Sequence, residues 1–378
     1  MRSYPDVIVV GAGVIGMAVA RELALRRISV TVVERGSPGR EASWAAAGML
    51  SPLGEVVALP DMRALADASL DRWSSFARSV REETSVDVEY RALGALHIAF
   101  DETQTQALRA LETRADERSG AEWLEADAAR RLEPTIADDT VAALLIARDH
   151  RVNNRRLGQA LWAAAVGAGV EFRLGVEVQE ILLDGPAGGR RRFSSVRLSG
   201  GAELAGGALV IAAGAWSGGL RGLPTAIPVR PIRGQMLAVS SAPERRTLLE
   251  RVLVAPGCYL VPREDGQILV GATVEDAGFR PGPTPGGIAG LVSAAVRAAP
   301  IVQDLPLTET WAGFRPGTPD DRPVLGADPH AEGVFHATGH FRNGILLTPI
   351  TAELIADTVQ QKPTVLPVAS FSAARFQP

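Results

Sequence analysis

Asp6-Val-Ile-Val-Val-Gly-Ala-Gly-Val-Ile-Gly16 is the stretch that decides how the rest of this chain is read. Four apolar residues form a short strand, Gly11-x-Gly13-x-x-Gly16 makes a tight turn, and a helix is expected over 17–26. A second apolar run over 30–33 ends at Glu34. Strand, glycine turn, helix, strand and acid together are the dinucleotide-binding fingerprint. The glycines allow a sharp turn and let a pyrophosphate approach the backbone at a helix N-terminus, and the acid stands where ribose hydroxyls are held. Alone, this motif specifies an adenine dinucleotide and leaves NAD and FAD equally open.

Three segments further along narrow the choice. Ser43-Trp-Ala-Ala-Ala-Gly-Met49 follows the second strand and can bring bare backbone N–H groups against a flat ring. The apolar run 208–213 reads as a strand buried on both faces and enters Gly214-Ala-Trp216. At the far end a strand over 334–338 enters Gly339-His-Phe-Arg-Asn-Gly344, and a helix is expected over 351–359. This last strand–turn–helix aims a second helix N-terminus at the cofactor. A reduced flavin is anionic and gains from that dipole, whereas a nicotinamide does not need it.

The remaining pattern fills in the architecture. Helices are expected over 65–82, 154–167 and 287–298, and charged surface helices over 102–133 with a break at Gly120. Strands are expected over 95–100, 170–183 and 193–198. Residues 228–273 are strand-rich and punctuated by proline and glycine, as an antiparallel substrate-side sheet would be, and 278–286 reads as a loop. The nucleotide-binding elements lie at both ends and in the middle. The fold class is therefore α/β with α+β character: a Rossmann-like FAD-binding domain interleaved with an antiparallel-sheet substrate domain. The expected division gives 1–85, 142–226 and 311–378 to the first, and 86–141 and 227–310 to the second.

Composition excludes several classes of function. With 378 residues and 46% hydrophobic content, the chain is long enough for two interlocked domains and fits a well-buried enzyme. Its 39 basic and 43 acidic side chains give a net charge of −4, with no electrostatic footprint for nucleic acid or an anionic membrane. Arg190-Arg191-Arg192 follows two glycines and reads as a solvated hairpin tip. The single cysteine, Cys258, excludes an internal disulfide framework. There is no apolar run of membrane-spanning length, and the N-terminal strand starts too early to leave a basic leader region. A soluble, cytoplasmic enzyme is expected.

The chain resembles the D-amino-acid oxidase-like flavoproteins, and most closely the glycine oxidases of thiazole biosynthesis. The resemblance rests on Gly11-Ala-Gly-Val-Ile-Gly16, Ala45-Ala-Ala-Gly-Met-Leu50, Cys258-Tyr-Leu-Val-Pro-Arg263, Val270-Gly-Ala-Thr273, Trp311-Ala-Gly-Phe-Arg-Pro-Gly-Thr318 and Gly339-His-Phe-Arg-Asn-Gly-Ile-Leu-Leu347. These blocks span nearly the whole chain in family order. The resemblance implies non-covalent FAD and oxidation of a small amino acid such as glycine, sarcosine or D-alanine to its imine. Electrons pass to O2, giving H2O2, and the imine is hydrolysed or captured for the thiazole of thiamine. It also implies a homo-oligomer, tetramers being found among relatives. For the substrate it implies Arg315 as carboxylate fork, Tyr259 as second carboxylate contact, and Arg342 near both substrate and flavin, with no side chain acting as acid or base. For the cofactor it implies Gly11, Gly13, Val14, Ile15, Gly16, Glu34, Arg35, Ala42, Ser43, Ala47, Gly48, Met49, Val178, Gly214, His340, Phe341, Arg342, Asn343, Gly344, Ile345 and Leu346.

Plainer readings stand beside these. Arg315 is also placed to pair with Asp320 or Asp321 on the surface, Tyr259 to be a core aromatic, and Arg342 to serve through its backbone alone. Cys258 reads as a small buried residue beside the pocket. Gly257 and Val274 stand where some glycine oxidases carry larger side chains, which suggests a roomier pocket wall. The competing function is an FAD-dependent dehydrogenase or oxidase of another small amino or 2-hydroxy acid, since Arg315 would serve any such carboxylate. A flavin-binding assembly subunit and an NAD dehydrogenase are the remaining alternatives.

Overall fold

The computed structural model describes residues 4–54, 59–186, 191–241 and 248–377. Val7–Val10 lies inside a six-stranded sheet in the order Val324–Ala327, Val334–Thr338, Ala208–Ile211, Val7–Val10, Val30–Glu34, Glu171–Leu174. All neighbours are parallel except the edge strand Val324–Ala327. The alternation of a strand explains why this run is uninterruptedly apolar. Val7 and Val9 face one hydrophobic core, while Ile8 and Val10 face another on the opposite side of the sheet. Helix Val14–Leu25, three residues longer at its start than expected, covers the first core with Asn154–Gly167 and Thr348–Val359.

Helix Pro60–Thr84 closes the same core. It buries Met62, Leu65, Ala66, Ser69, Leu70, Trp73, Ala77 and Val80 at helical spacing, begins with proline in its first turn, and ends at Ser85 with φ 60°.

The second sheet has eight strands in the order Leu307–Gly317, Arg230–Ser240, Gln267–Gly271, Cys258–Pro262, Val252–Ala255, Ala95–Ala99, Ala142–Ile146, Ala121–Glu125. Only Val252–Ala255 and Ala95–Ala99 run parallel. Alternation again assigns the two faces. Leu237 and Val239 pack with Leu291 and Ala295 of helix Pro285–Ala298, while Met236 and Ala238 face Ala45, Ala47 and Trp311. The second face borders the cleft.

Three expectations are corrected here. Ala121–Glu125, inside the stretch expected to be helical, is a strand because it pairs with Ala142–Ile146. The single strand expected over 170–183 is two: Glu171–Leu174 joins the parallel sheet, and Val178–Asp184 pairs with Arg191–Leu198 elsewhere. By sheet membership, Ala142–Ile146 and all of Leu307–Gly317 belong to the antiparallel half, whereas the expected boundaries at 142 and 311 assigned 142–146 and 311–317 to the nucleotide half. Apolar strands carry no label for the sheet that recruits them. Of the arginine run, Arg191 and Arg192 begin a strand, and Arg190 lies outside the described residues.

Candidate active site

The two sheets enclose a cleft made of two joined cavities of about 750 and 1100 Å3. Gly13, Ala42, Ser43, Ala212 and Gly214 line both, so the cleft is continuous. The smaller cavity is walled by Gly11, Glu34, Arg35, Val178 and Trp216. The larger is walled by Val14, Ile15, Ala47, Gly48, Met49, Tyr259, Arg315 and residues 340–345. A continuous cleft lined by glycines, apolar side chains and a few polar groups suits a cofactor and a small substrate.

The nucleotide end is built from backbone. Gly11 has φ 101°, and a Cβ there would lie 2.5 Å from the Ala212 carbonyl oxygen, so no other residue fits the turn. Gly16 lies outside the cavity walls and works by packing, since a Cβ on it would run into the carbonyl of Gly11. The Glu34 carboxylate accepts from the Ala12 amide at 2.7 Å and from the Gly36 amide at 2.8 Å. Each of its oxygens keeps acceptor capacity for a hydroxyl. Helix Val14–Leu25 has a glycine at its N-cap and no acid in its first turn; Ser43 Oγ accepts from its first amide, Val14 N, at 3.0 Å, and its start lines the junction of the two cavities. A helix start without an acid on a cavity wall is a ready anion site, and these residues fit a dinucleotide pyrophosphate.

The Ala45–Met49 loop is pinned from behind. Trp311 Nε1 donates to Ala45 O at 3.0 Å, Asn154 Nδ2 donates to Ser43 O and Trp44 O at 2.8 and 3.0 Å, and the Val152 amide donates to Gly48 O at 2.9 Å. Arg263 completes the set, donating to Ala47 O and Asn154 Oδ1 at 2.7 Å and to Val152 O at 2.8 Å. Burial pushes its guanidinium down to about 9, which still leaves it charged at neutral pH. Its partners are carbonyls rather than a carboxylate. The sequence quoted Arg263 within a motif without assigning it this work.

The far wall of the larger cavity is built from side chains laid over glycines. Arg315, on Leu307–Gly317, lies across Gly234 of the neighbouring strand, where a Cβ would meet its Cζ and Nη2 at 2.5 Å. Its Nη1 donates to Thr273 O at 3.0 Å. No carboxylate pairs with it among the described residues, and Asp320 is instead engaged by Arg375 at 2.9 Å, so the surface-pair reading of Arg315 does not hold. Tyr259 is half-buried over Gly271, where a Cβ would lie 2.6 Å from its ring and hydroxyl. A glycine inside a strand signals such a close approach, and this is the cue by which Gly234 and Gly271 were there to be found.

The far turn supplies the third wall. His340 is fully enclosed, bonds Thr351 Oγ1 through Nε2 at 3.0 Å, and is driven by desolvation down to about 3. It is a neutral ring. Phe341, Arg342, Asn343, Gly344 and Ile345 line the cavity, with Arg342 exposed. Leu346 does not line it; its carbonyl turns inward to accept from Ser69 Oγ at 2.6 Å and Trp73 Nε1 at 2.8 Å.

Three further expectations change. Cys258 packs in the core beneath helix Pro285–Ala298, on the opposite face of the sheet from Tyr259, and burial pushes its thiol up to about 12. Gly257 is an exposed hairpin residue whose nearest neighbour for a Cβ is Ala294, and Val274 is 56% exposed. Neither lines the cavity, so neither enlarges it.

A family model described as FAD dependent oxidoreductase (DAO) matches residues 6–358. The chain belongs to this family of FAD-dependent oxidoreductases. It is 36% identical to a glycine oxidase from Pseudomonas aeruginosa over 97% of this chain and 98% of that one. It is 39% identical to the bifunctional protein ThiO/ThiG of Trichormus variabilis over 98% of this chain but 55% of that protein, so it spans about half of that relative. The crystal structure of glycine oxidase from Geobacillus kaustophilus superposes with a TM-score of 0.90 at 33% identity, covering 99% of this chain and 100% of that one. The enzyme is thus an FAD-dependent oxidoreductase. Among its described residues no helix is long and apolar enough to cross a membrane.

Proposed function

We propose that this enzyme oxidises glycine, and with it small amines such as sarcosine and D-alanine, to the corresponding imine, with O2 reduced to H2O2. The observation that carries the reading is Arg315: a guanidinium on the cavity wall with a carbonyl for a partner and no carboxylate among the described residues. A planar fork so placed takes a substrate carboxylate bidentately and fixes the direction in which Cα points. Tyr259 adds a hydroxyl contact and closes the wall, and Arg342 stands at the exposed rim. FAD, held non-covalently, supplies the two-electron acceptor. The protein's part is to orient. His340 is neutral and engaged with Thr351, so the substrate amine sheds its proton to solvent before oxidation. The imine leaves to be hydrolysed to the 2-oxo acid and ammonia or, as the likeness to ThiO/ThiG supports, to feed thiazole assembly for thiamine.

Anaerobic mixing with glycine, sarcosine, D-alanine and a 2-hydroxy acid tests this. Bleaching of the flavin by glycine, and one H2O2 per imine in air, is the expected result. Bleaching by the hydroxy acid alone would overturn it. The same reading includes residence in the cytoplasm and a homo-oligomer. Trp162 and Val166, one helical turn apart, are 42% and 51% exposed and offer an apolar contact face. Cell fractionation tests the first and light scattering the second; a membrane-bound or strictly monomeric enzyme would contradict them.

A further inference from the structure

After Gln267–Gly271 the chain leaves the antiparallel sheet over 272–284 before entering helix Pro285–Ala298. Both ends of this segment are fastened to Arg230–Ser240. Arg233 and Glu275 exchange backbone hydrogen bonds of 2.9 and 3.0 Å, and Arg233 Nε donates to Glu275 Oε2 at 2.9 Å. Gln235 Oε1 accepts from the Thr284 amide at 2.6 Å, while its Nε2 donates to Glu275 Oε1, also at 2.6 Å. Arg233 and Gln235 are 8% and 1% exposed, so these roots are inside the protein.

Between the roots stands Phe279. Its side chain belongs to none of the hydrophobic cores of the antiparallel sheet, and the residue is 45% exposed. An aromatic left in water forfeits the gain of burial, so the sheet gives no reason for it. Its ring nevertheless stacks on Trp216, with centroids 4.9 Å apart and planes 20° apart, and meets Phe314 edge-on at 5.4 Å. Trp216 carries the Arg35 guanidinium 3.6 Å over its ring. Arg35 and Trp216 are walls of the nucleotide cavity, and Phe314 is a wall of the substrate cavity. The same segment begins at Thr273, whose carbonyl holds Arg315.

We propose that Phe279 is a clasp: stacked on Trp216, it holds the 272–284 segment across the cleft and retains FAD. It acts through Trp216 and is a positioning residue. Through Thr273 the same segment keeps Arg315 in register with the cofactor. The inference rests on FAD occupying the cleft and is independent of which amino acid is oxidised.

The test strips FAD from the holoenzyme and titrates the apoprotein by flavin fluorescence quenching. Phe279→Ala should raise the FAD Kd about tenfold, the scale of losing two aromatic contacts. Phe279→Tyr should restore it, and the melting temperature of the apoprotein should not change, since no core is touched. Trp216→Ala should raise the Kd at least as much, and adding Phe279→Ala to it should cost less than it does in the wild type, because the shared stack is already gone and only the Phe314 contact remains to lose. A Phe279→Ala Kd within about twofold of wild type would overturn the proposal, as would losses that simply add. Failure of glycine to bleach the flavin would leave these titrations unchanged, so the two readings fail separately.

Discussion

The two ends of the cleft are made of different materials. At the proposed nucleotide end the working groups are largely backbone: the Gly11 turn, the start of Val14–Leu25, and the Ala12 and Gly36 amides gathered on Glu34. All of it lies within one contiguous βαβ unit. At the proposed substrate end the working groups are side chains, Arg315 and Tyr259, each lying over a glycine of an adjacent strand. Those parts come from positions 234, 259, 271 and 315, brought together by register: Ile232 opposite Arg315, Met236 opposite Gly271, and Gly271 opposite Tyr259. A backbone site is specified by where side chains are absent. A side-chain site is specified by which strands pair.

The contrast predicts that the two ends fail independently. Arg315→Leu removes the charge-assisted fork while leaving every nucleotide contact, so kcat/KM for glycine should fall about 1000-fold with FAD content unchanged. Steady-state kinetics beside a flavin-to-protein absorbance ratio checks both halves. Loss of FAD in this variant would break the comparison. Gly16→Ala is the converse. Its Cβ would collide with the Gly11 carbonyl, which is backbone and cannot swing aside. The turn must open, and FAD affinity should fall about 100-fold by titration, a loss of the size that backbone misfit produces. Saturating FAD should then recover most of the substrate KM.

A subtler substitution probes the substrate end alone. Gly234→Ala places a methyl against the Arg315 guanidinium, the far end of a flexible side chain that can move at some cost. The glycine KM should rise about tenfold with kcat less affected, because misplaced orientation weakens binding before it abolishes it. Alanine tolerated without effect would mean that Gly234 is not what positions Arg315.

The same contrast explains what the sequence made legible. Gly11, Gly13, Gly16 and Glu34 could be read directly, because their chemistry depends on spacing within one unit. The parallel sheet followed from uninterrupted apolar runs at 7–10 and 208–211 and from the run 30–33, broken only by Thr31, whose apolar residues serve two cores. Arg315 and Tyr259 were reached through family likeness, since nothing local distinguishes a cavity arginine from a surface one. The supporting parts were harder. Arg263 is a cation satisfied by carbonyls of residues 47 and 152, and no charge pattern in the chain announces such a partner. Gly257 was placed at the pocket wall by likeness to glycine oxidases with a larger side chain there, yet in this fold it occupies the hairpin turn. Cys258 is buried as expected, but strand alternation sends it to the face opposite the pocket.

The smallest expected effect concerns how each end handles charge. Arg315 remains a cation on the cavity wall, whereas His340 at the cofactor turn is held neutral, its ring driven by burial from the ordinary 6.5 down to about 3. An unfolded chain takes up a proton on this histidine below about pH 6.5, and the folded one does not until about pH 3. The unfolded state therefore binds more protons across that interval, and stability is full above pH 6.5 and falls as the solution is acidified. At pH 5 the loss from this residue alone is roughly 2 kcal/mol, or about 2–5 °C in melting temperature. His340→Asn cannot take up that proton, so the wild-type enzyme should lose about 2–5 °C more than the variant between pH 7.5 and pH 5 in matched melts. Parallel pH dependence in the two proteins would mean that His340 takes up its proton in the fold as readily as in the unfolded chain and is charged at pH 5. The cofactor turn would then carry a cation beside the flavin site, and the division between a backbone-built end and a charge-built end would no longer hold.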